Sequence, residues 1–137
     1  MIKKAVVVGG SGFIGSHVAD YLSYAGYQVT IYDKTESQWL RDDQELVIGD
    51  VQDIEKLDQT IVGAEVVYNF AALADLNQAV EEPIKTVNIN ILGNLNVMES
   101  CRAHGIKRFI YASTVYVHSR EGGFYRCSKK AAEDYIE

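Results

Sequence analysis

Short apolar runs alternate along this chain with longer segments whose apolar residues recur every three or four positions. Ala5-Val6-Val7-Val8 predicts a first strand over Lys4–Val8. Gly12–Ala25 places Ile14, Val18, Leu22 and Ala25 on one face, which predicts a helix that Gly26 stops. Gln28–Tyr32 and the shorter Glu45–Ile48 read as a second and a third strand. A helix is predicted over Asp53–Ile61, with Asp53 as its cap and Gly63 after its end. Glu65–Phe70 and Lys107–Ala112 read as the fourth and fifth strands.

Between those last two strands lies a long helix, Pro83 to Ala103, with proline in its first turn and Gly105 just past its end. Ile84, Val87, Ile91, Leu95 and Met98 form one apolar stripe, while Ile89, Leu92 and Val97 lie largely off it. A helix apolar on two sides is covered on two sides. One side is expected on the sheet, the other on a second subunit or on a neighbouring helix of the same chain. The polar segment Lys34–Gln44 has no clear period; Trp39 and Leu40 are expected to pack locally. From Gly123 onward the pattern is helical again and stops at Glu137 without glycine, proline or a basic last turn. The chain is therefore read as the N-terminal fragment of a longer protein, cut within a helix.

Strands alternating with helices imply a parallel sheet with right-handed crossovers. The junction of the first strand and helix adds chemistry: Gly9-Gly10-Ser11-Gly12-Phe13-Ile14-Gly15 leaves a strand, turns tightly and enters a helix. Gly9 suits a turn with positive φ, Gly12 has no Cβ to hold a diphosphate off the backbone, and Gly15 allows close packing of the helix. The free N–H groups of that helix end favour an anion. Asp33, at the end of the second strand, is where a carboxylate reaches the ribose hydroxyls of an adenine dinucleotide. The expected fold is an α/β, Rossmann-type doubly wound parallel sheet of strand order 3-2-1-4-5, one dinucleotide-binding domain over residues 1–137.

Composition narrows the classes. At 137 residues, 47% hydrophobic and with one proline, the chain is one ordered domain. A net charge of −6 argues against a nucleic-acid binder. Cys101 and Cys127 form no CxxC pair and suit a reduced, cytoplasmic setting. His17, His104 and His118 are scattered without metal-ligand spacing, so no metal site is expected. The apolar run after Met1 ends at Val8, too short for a signal peptide, and no stretch is long enough to span a membrane.

Tyr125-Arg126-Cys127-Ser128-Lys129 places a phenol and an ammonium on one helix face. Alone the pair is weak evidence. Its position matters more, because it follows the fifth strand, whose end carries Ser113 and Thr114. In open α/β sheets ligands bind beyond the carboxyl ends of the strands. Tyrosine titrates near 10, and lowering that towards 7 requires about 4 kcal/mol of preferential stabilisation of the phenolate. Lys129 and an oxidised nicotinamide together are the expected source. A Ser113 or Thr114 hydroxyl would hold the substrate oxygen while Tyr125 takes its proton and a hydride passes to the nicotinamide. Arg120, Arg126, Lys129 and Lys130 make a local positive cluster, suited to a nucleotide diphosphate or simply a solvated helix face.

The whole chain from Ile2 to Glu137 resembles the extended short-chain dehydrogenase/reductase superfamily, in its NAD-dependent nucleotide-sugar epimerase/dehydratase branch. The marks are the glycine loop, Gly49-Asp50-Val51, Tyr68-Asn69-Phe70-Ala71-Ala72, Asn90-Ile91-Leu92-Gly93-Asn94, Phe109-Ile110-Tyr111-Ala112-Ser113-Thr114 and Tyr125-x-x-x-Lys129. The resemblance implies NAD as cofactor, with backbone of Phe13 and Ile14 at the diphosphate, Asp33 at the ribose, and Asp50 and Val51 at the adenine. It implies Phe70, Ala71 and Ala72 along the path to the nicotinamide, Asn90 supporting the cofactor-side backbone, and Lys129 also on the nicotinamide ribose. Thr114, Tyr125 and Lys129 would be catalytic, with Thr114 preferred to Ser113. A homodimer through helices 83–103 and 124–137 is implied, as is a substrate domain that this stretch lacks.

Asp33 favours NAD over NADP, because a carboxylate repels a 2′-phosphate, although Lys34 stands beside it. This chain also departs from the family pattern. Val115 and Tyr116 follow Thr114 where dehydratases carry Asp-Glu, which favours epimerisation or simple redox. Asn69 stands where the family often has histidine. The stretch from Thr114 to Tyr125 is short, and it shapes the sugar site. The reading is a 4-epimerase of nucleotide-diphosphate sugars. A dehydrogenase or reductase of the same fold, or a non-catalytic dinucleotide-binding module, are the alternatives.

Overall fold

The computed structural model describes residues 1–137. Five parallel strands form one sheet in the order β3-β2-β1-β4-β5. They are β1 (Lys4–Val8), β2 (Gln28–Asp33), β3 (Gln44–Ile48), β4 (Val66–Asn69) and β5 (Arg108–Tyr111). Ala5 through Val8 are fully buried, as a central strand covered on both faces requires. In register, β1 pairs Val8 with Tyr32 of β2 and with Asn69 of β4, so the carboxyl ends of the three strands lie level.

Alternation along each strand divides the interior in two. Val6, Val8, Tyr32 and Val67 pack with Leu57, Ile61, Val97 and Cys101 on one face. Ala5, Val7, Val29, Ile31 and Val66 pack with Ala19 and Leu22 on the other. The helices are α1 (Phe13–Tyr24), α2 (Ile54–Ile61), α3 (Leu76–Glu81), α4 (Pro83–Thr86), α5 (Gly93–Ala103) and α6 (Gly123–Ile136). Asp53 caps α2 as expected, its side chain accepting from the Lys56 N–H at 3.1 Å. The α3 helix was not expected; Asp75 caps it by accepting from the Gln78 N–H at 2.8 Å.

The long helix differs from expectation. Between α4 and α5 the chain runs as a π-helical turn over Val87–Leu92, with helical backbone on either side of both junctions. A wide turn shifts the phase of the faces. The expected apolar stripe does not bury: Ile84 and Val87 are exposed, and Ile91, Leu95 and Met98 only half-buried. The buried face is small and polar instead, made by Thr86, Asn90, Gly93, Asn94, Val97, Ser100 and Cys101. Gly93 explains part of this, since a Cβ there would stand 2.5 Å from Val51 Cγ2. Two elements of its own chain pack on this helix, α2 on α5 and α6 on the π-helical turn, while Ile84, Val87 and Leu92 stay exposed. Trp39 and Leu40 stay exposed and do not form the expected local cluster.

Candidate active site

The glycine turn is built by contacts that exclude side chains. Gly9 has φ +79°, and a Cβ there would lie 2.5 Å from the Ala71 nitrogen. A Cβ on Gly15 would collide with the Gly9 carbonyl oxygen, so Gly15 fits the helix against the turn. Gly12 is different: the nearest atom to its absent Cβ is the Gly9 oxygen at 3.4 Å. Gly12 therefore opens onto space, as a backbone that receives a ligand requires.

That space is a cavity of about 280 Å³ at the carboxyl ends of β1, β2 and β4. It brings together Gly9, Gly12, Asp33, Asp50, Val51, Phe70, Ala71 and Ala72 of the residues expected from sequence. Phe13 and Ile14 lie on the exposed start of α1 and do not line it. Tyr32, Gly49, Thr35 and Ile89 line it and were not singled out from sequence as site residues. Tyr32 is completely buried, and its hydroxyl donates to the Asp50 carbonyl at 2.7 Å. Burial and the nearby Asp53 and Asp50 carboxylates push that phenol up to about 12, so it stays a neutral strut.

The turn after β4 is set by amides. Asn69 is buried, accepts from the Ala71 N–H at 3.1 Å and donates to the Asn94 side chain at 2.9 Å. Asn90 accepts from the Leu73 N–H at 2.7 Å and donates to the Leu73 carbonyl at 3.1 Å. It also donates to Ser128 Oγ at 2.9 Å, and Ser128 donates to the Tyr125 carbonyl at 2.7 Å. One buried amide thus ties the cavity wall to the helix that carries Tyr125.

Thr114 follows β5 and caps a 3-10 turn over Val115–His118. The chain then reverses through Gly122 and Gly123, both with positive φ, and enters α6. This brings Thr114, and not the exposed Ser113, beside the half-buried Tyr125. Tyr125 also meets Tyr116 edge-on, with ring centroids 6.3 Å apart. Burial raises the Tyr125 phenol above its ordinary value; the Thr114 hydroxyl draws it back and Tyr116 adds a smaller upward push.

Lys129 does not sit on the phenol as the i, i+4 spacing suggested. It is 3% exposed, donates to the Ala112 carbonyl at 2.5 Å and lies 4.2 Å from the centre of the Tyr111 ring. A buried ammonium takes the partners within reach, and here those are a strand-end carbonyl and an aromatic face. Burial lowers it to about 8, against an upward pull from Glu133. The expected depression of the Tyr125 phenol by Lys129 is therefore not present in this arrangement. Two of the other cations have partners of their own. Arg126 donates to the Ser119 carbonyl and Lys130 pairs with Asp134.

The chain was compared with known proteins and solved structures. Residues 5–135 match the model of the NAD dependent epimerase/dehydratase family. UDP-glucose 4-epimerase of Rhizobium meliloti is 31% identical over 120 residues, which is 82% of this chain and 35% of that protein. The Homo sapiens enzyme of the same name is 29% identical over 137 residues, 86% of this chain and 39% of that protein. The UDP-glucose 4-epimerase of Thermotoga maritima, solved with UDP-glucose, superposes with a TM-score of 0.90 at 27% identity. It is covered over 50% of its length by 97% of this chain. The Brucella ovis enzyme, solved with NAD, gives a TM-score of 0.89 at 30% identity, with 98% of this chain on 46% of that one. The chain thus spans less than half the length of these curated relatives and at most half that of these structures. On the family match over nearly its whole length, with its glycine turn and its five-stranded sheet, the chain belongs to the NAD-dependent epimerase/dehydratase family.

Proposed function

We propose that this chain is the NAD-binding part of an epimerase that inverts C4 of a nucleotide-diphosphate sugar. The observation that carries the reading is the common edge of the sheet. The glycine-turn cavity and the Thr114–Tyr125 pair both lie beyond the carboxyl ends of the parallel strands. Similarity to UDP-glucose 4-epimerases supports the substrate class.

The cavity fits the adenosine-diphosphate half of the cofactor. Gly12 leaves room for the diphosphate, Asp33 offers acceptors to a ribose, and Asp50 and Val51 border the far end. When bound, NAD would supply the chemistry of accepting and giving back a hydride. The chain's residues manage the proton. Thr114 holds the C4 oxygen, and Tyr125 takes its proton and later gives one back. Lys129 leaves the Ala112 carbonyl to meet the nicotinamide ribose and to favour the phenolate. No carboxylic acid follows Thr114, since Val115 and Tyr116 stand there, so expulsion of a leaving group has no general acid at that position. The stretch between Thr114 and Tyr125 is a single 3-10 turn and a glycine reversal.

The test uses the full-length protein. Tyr125→Phe is expected to lower kcat by about 10²–10⁴-fold while NAD affinity stays within twofold, the range for loss of a general base. A variant that loses NAD but turns over normally per bound cofactor would overturn the assignment. Sustained growth of reduced-nicotinamide absorbance during turnover would instead identify a dehydrogenase, because an epimerase regenerates its cofactor in each cycle. A second subunit is also proposed, docked on the outer face of α4 and α6.

A further inference from the structure

The Asp33 carboxylate is already occupied by its own chain. Oδ2 accepts from the Ser11 N–H at 3.0 Å. Oδ1 accepts from the Thr35 N–H at 3.0 Å and from the Thr35 hydroxyl at 3.1 Å. A carboxylate offers about four acceptor positions, so three donors leave about one. A ribose diol brings two hydroxyl donors. Asp33 by itself cannot receive both.

The hydroxyl that occupies Asp33 makes good the deficit. Thr35 Oγ1 spends its single proton on Asp33 and keeps its lone pairs. Thr35 lines the same cavity as Asp33 and is exposed to it. Its backbone is pinned from behind, because Ser11 Oγ donates to the Thr35 carbonyl at 2.8 Å and Ser11 is itself buried. The glycine turn and the segment after β2 are thereby clasped together around one carboxylate.

We infer that Thr35 is a second, specificity-determining reader of the adenosine ribose: its hydroxyl oxygen accepts one hydroxyl of the diol while Asp33 accepts the other. The inference rests on the NAD reading of this cavity and deepens it. The two residues form an array that offers only acceptors, which suits a diol and rejects a 2′-phosphate. Lys34 beside them is the one cation in the lining, so selectivity for NAD depends on holding that array together.

The experiment compares the full-length protein, freed of bound nucleotide, with Thr35→Val and Thr35→Ser. Each is titrated by calorimetry with ADP-ribose, with its 2′-deoxyadenosine and 3′-deoxyadenosine forms, and with NADP. Valine keeps the shape and the backbone N–H and removes only the hydroxyl. It also frees one acceptor position on Asp33 Oδ1, so it is expected to weaken ADP-ribose by at most about five-fold, the worth of one ordinary hydrogen bond, and to leave NADP nearly unchanged. That loss should vanish for one of the two deoxy forms, and serine should restore parental affinity. Equal losses on all three ADP-ribose ligands would reduce Thr35 to a prop for Asp33 and overturn the inference. So would an unaffected valine variant. A parent protein that binds none of the ligands would overturn the NAD reading itself, an outcome distinct from either.

Discussion

At the residue scale, Lys129 is the site's clearest case of a polar group placed where water is scarce. Its ammonium is buried, and its folded-state value of about 8 lies below the ordinary 10.5. Between those values the unfolded chain holds a proton that the folded chain has released, so stability rises with pH across that window. Below it both states are protonated and the folded state bears the full cost of a buried charge. Lys129→Met should therefore stabilise the protein at pH 7, and its advantage should shrink by on the order of 3 kcal/mol between about pH 8 and 10.5. Urea denaturation of parent and variant at pH 7 and pH 10 reads this directly, and a gap independent of pH would refute the burial argument. Gly9, Gly12 and Asp33, read from glycine spacing and a strand end, line one cavity together with Asp50, which came from the family resemblance. The partners of Lys129 were not legible. Spacing along a helix fixes which face a side chain leaves from, but the carbonyl of Ala112 and the ring of Tyr111 come from another element.

At the element scale, five strands and four helices followed from period and punctuation, and the departures share one cause. The π-helical turn over Val87–Leu92 carries no signature in apolar spacing, since its one buried residue is Asn90 and the next buried positions, Gly93 and Asn94 at the start of α5, are not hydrophobic either. Those amides are buried because they bond to other elements, and the period of hydrophobicity does not register that. The short α3 was missed for a similar reason: of its six residues only Ala79 is buried. Asn90 shows what the unusual turn achieves. Its side chain satisfies both backbone groups of Leu73 and reaches Ser128 on α6. Asn90→Ala would leave a buried N–H and a buried carbonyl unpaired, at a cost of about 3 kcal/mol. Denaturant unfolding should show that loss, and Asn90→Asp, which keeps the acceptor for Leu73 N–H but loses the donor, should recover only part of it. A variant as stable as the parent would mean that the Leu73 segment readily finds other partners.

At the scale of the whole molecule, the remaining question is what covers α4 and α6. Ile84 is 76% exposed, Phe124 49% and Tyr135 58%, and α4 packs directly beside α6. Val87 and Leu92, on the π-helical turn that follows α4, are exposed as well. Three features argue for an interface and against a wetted edge: the buried side of the long helix is largely polar, Ile84, Val87 and Leu92 are exposed, and no charge but Lys85 lies between Pro83 and Met98. Inverting the ordinary polarity of a surface helix is costly unless the outer face is also removed from water. A stable pair of subunits buries about 1,600 Å² in total, a span that two helices side by side can supply. Ile84→Glu together with Phe124→Glu in the full-length protein should place two like charges at each contact in a symmetric pair. Sedimentation velocity is then expected to show a dimer for the parent and a monomer for the double variant, with the far-ultraviolet dichroism unchanged. If instead the parent sediments as a monomer while the double variant unfolds more readily, the face is covered by more of the same chain. The apolar pattern of Ile84, Val87 and Leu92 would then belong to an intramolecular core that this stretch of sequence only begins.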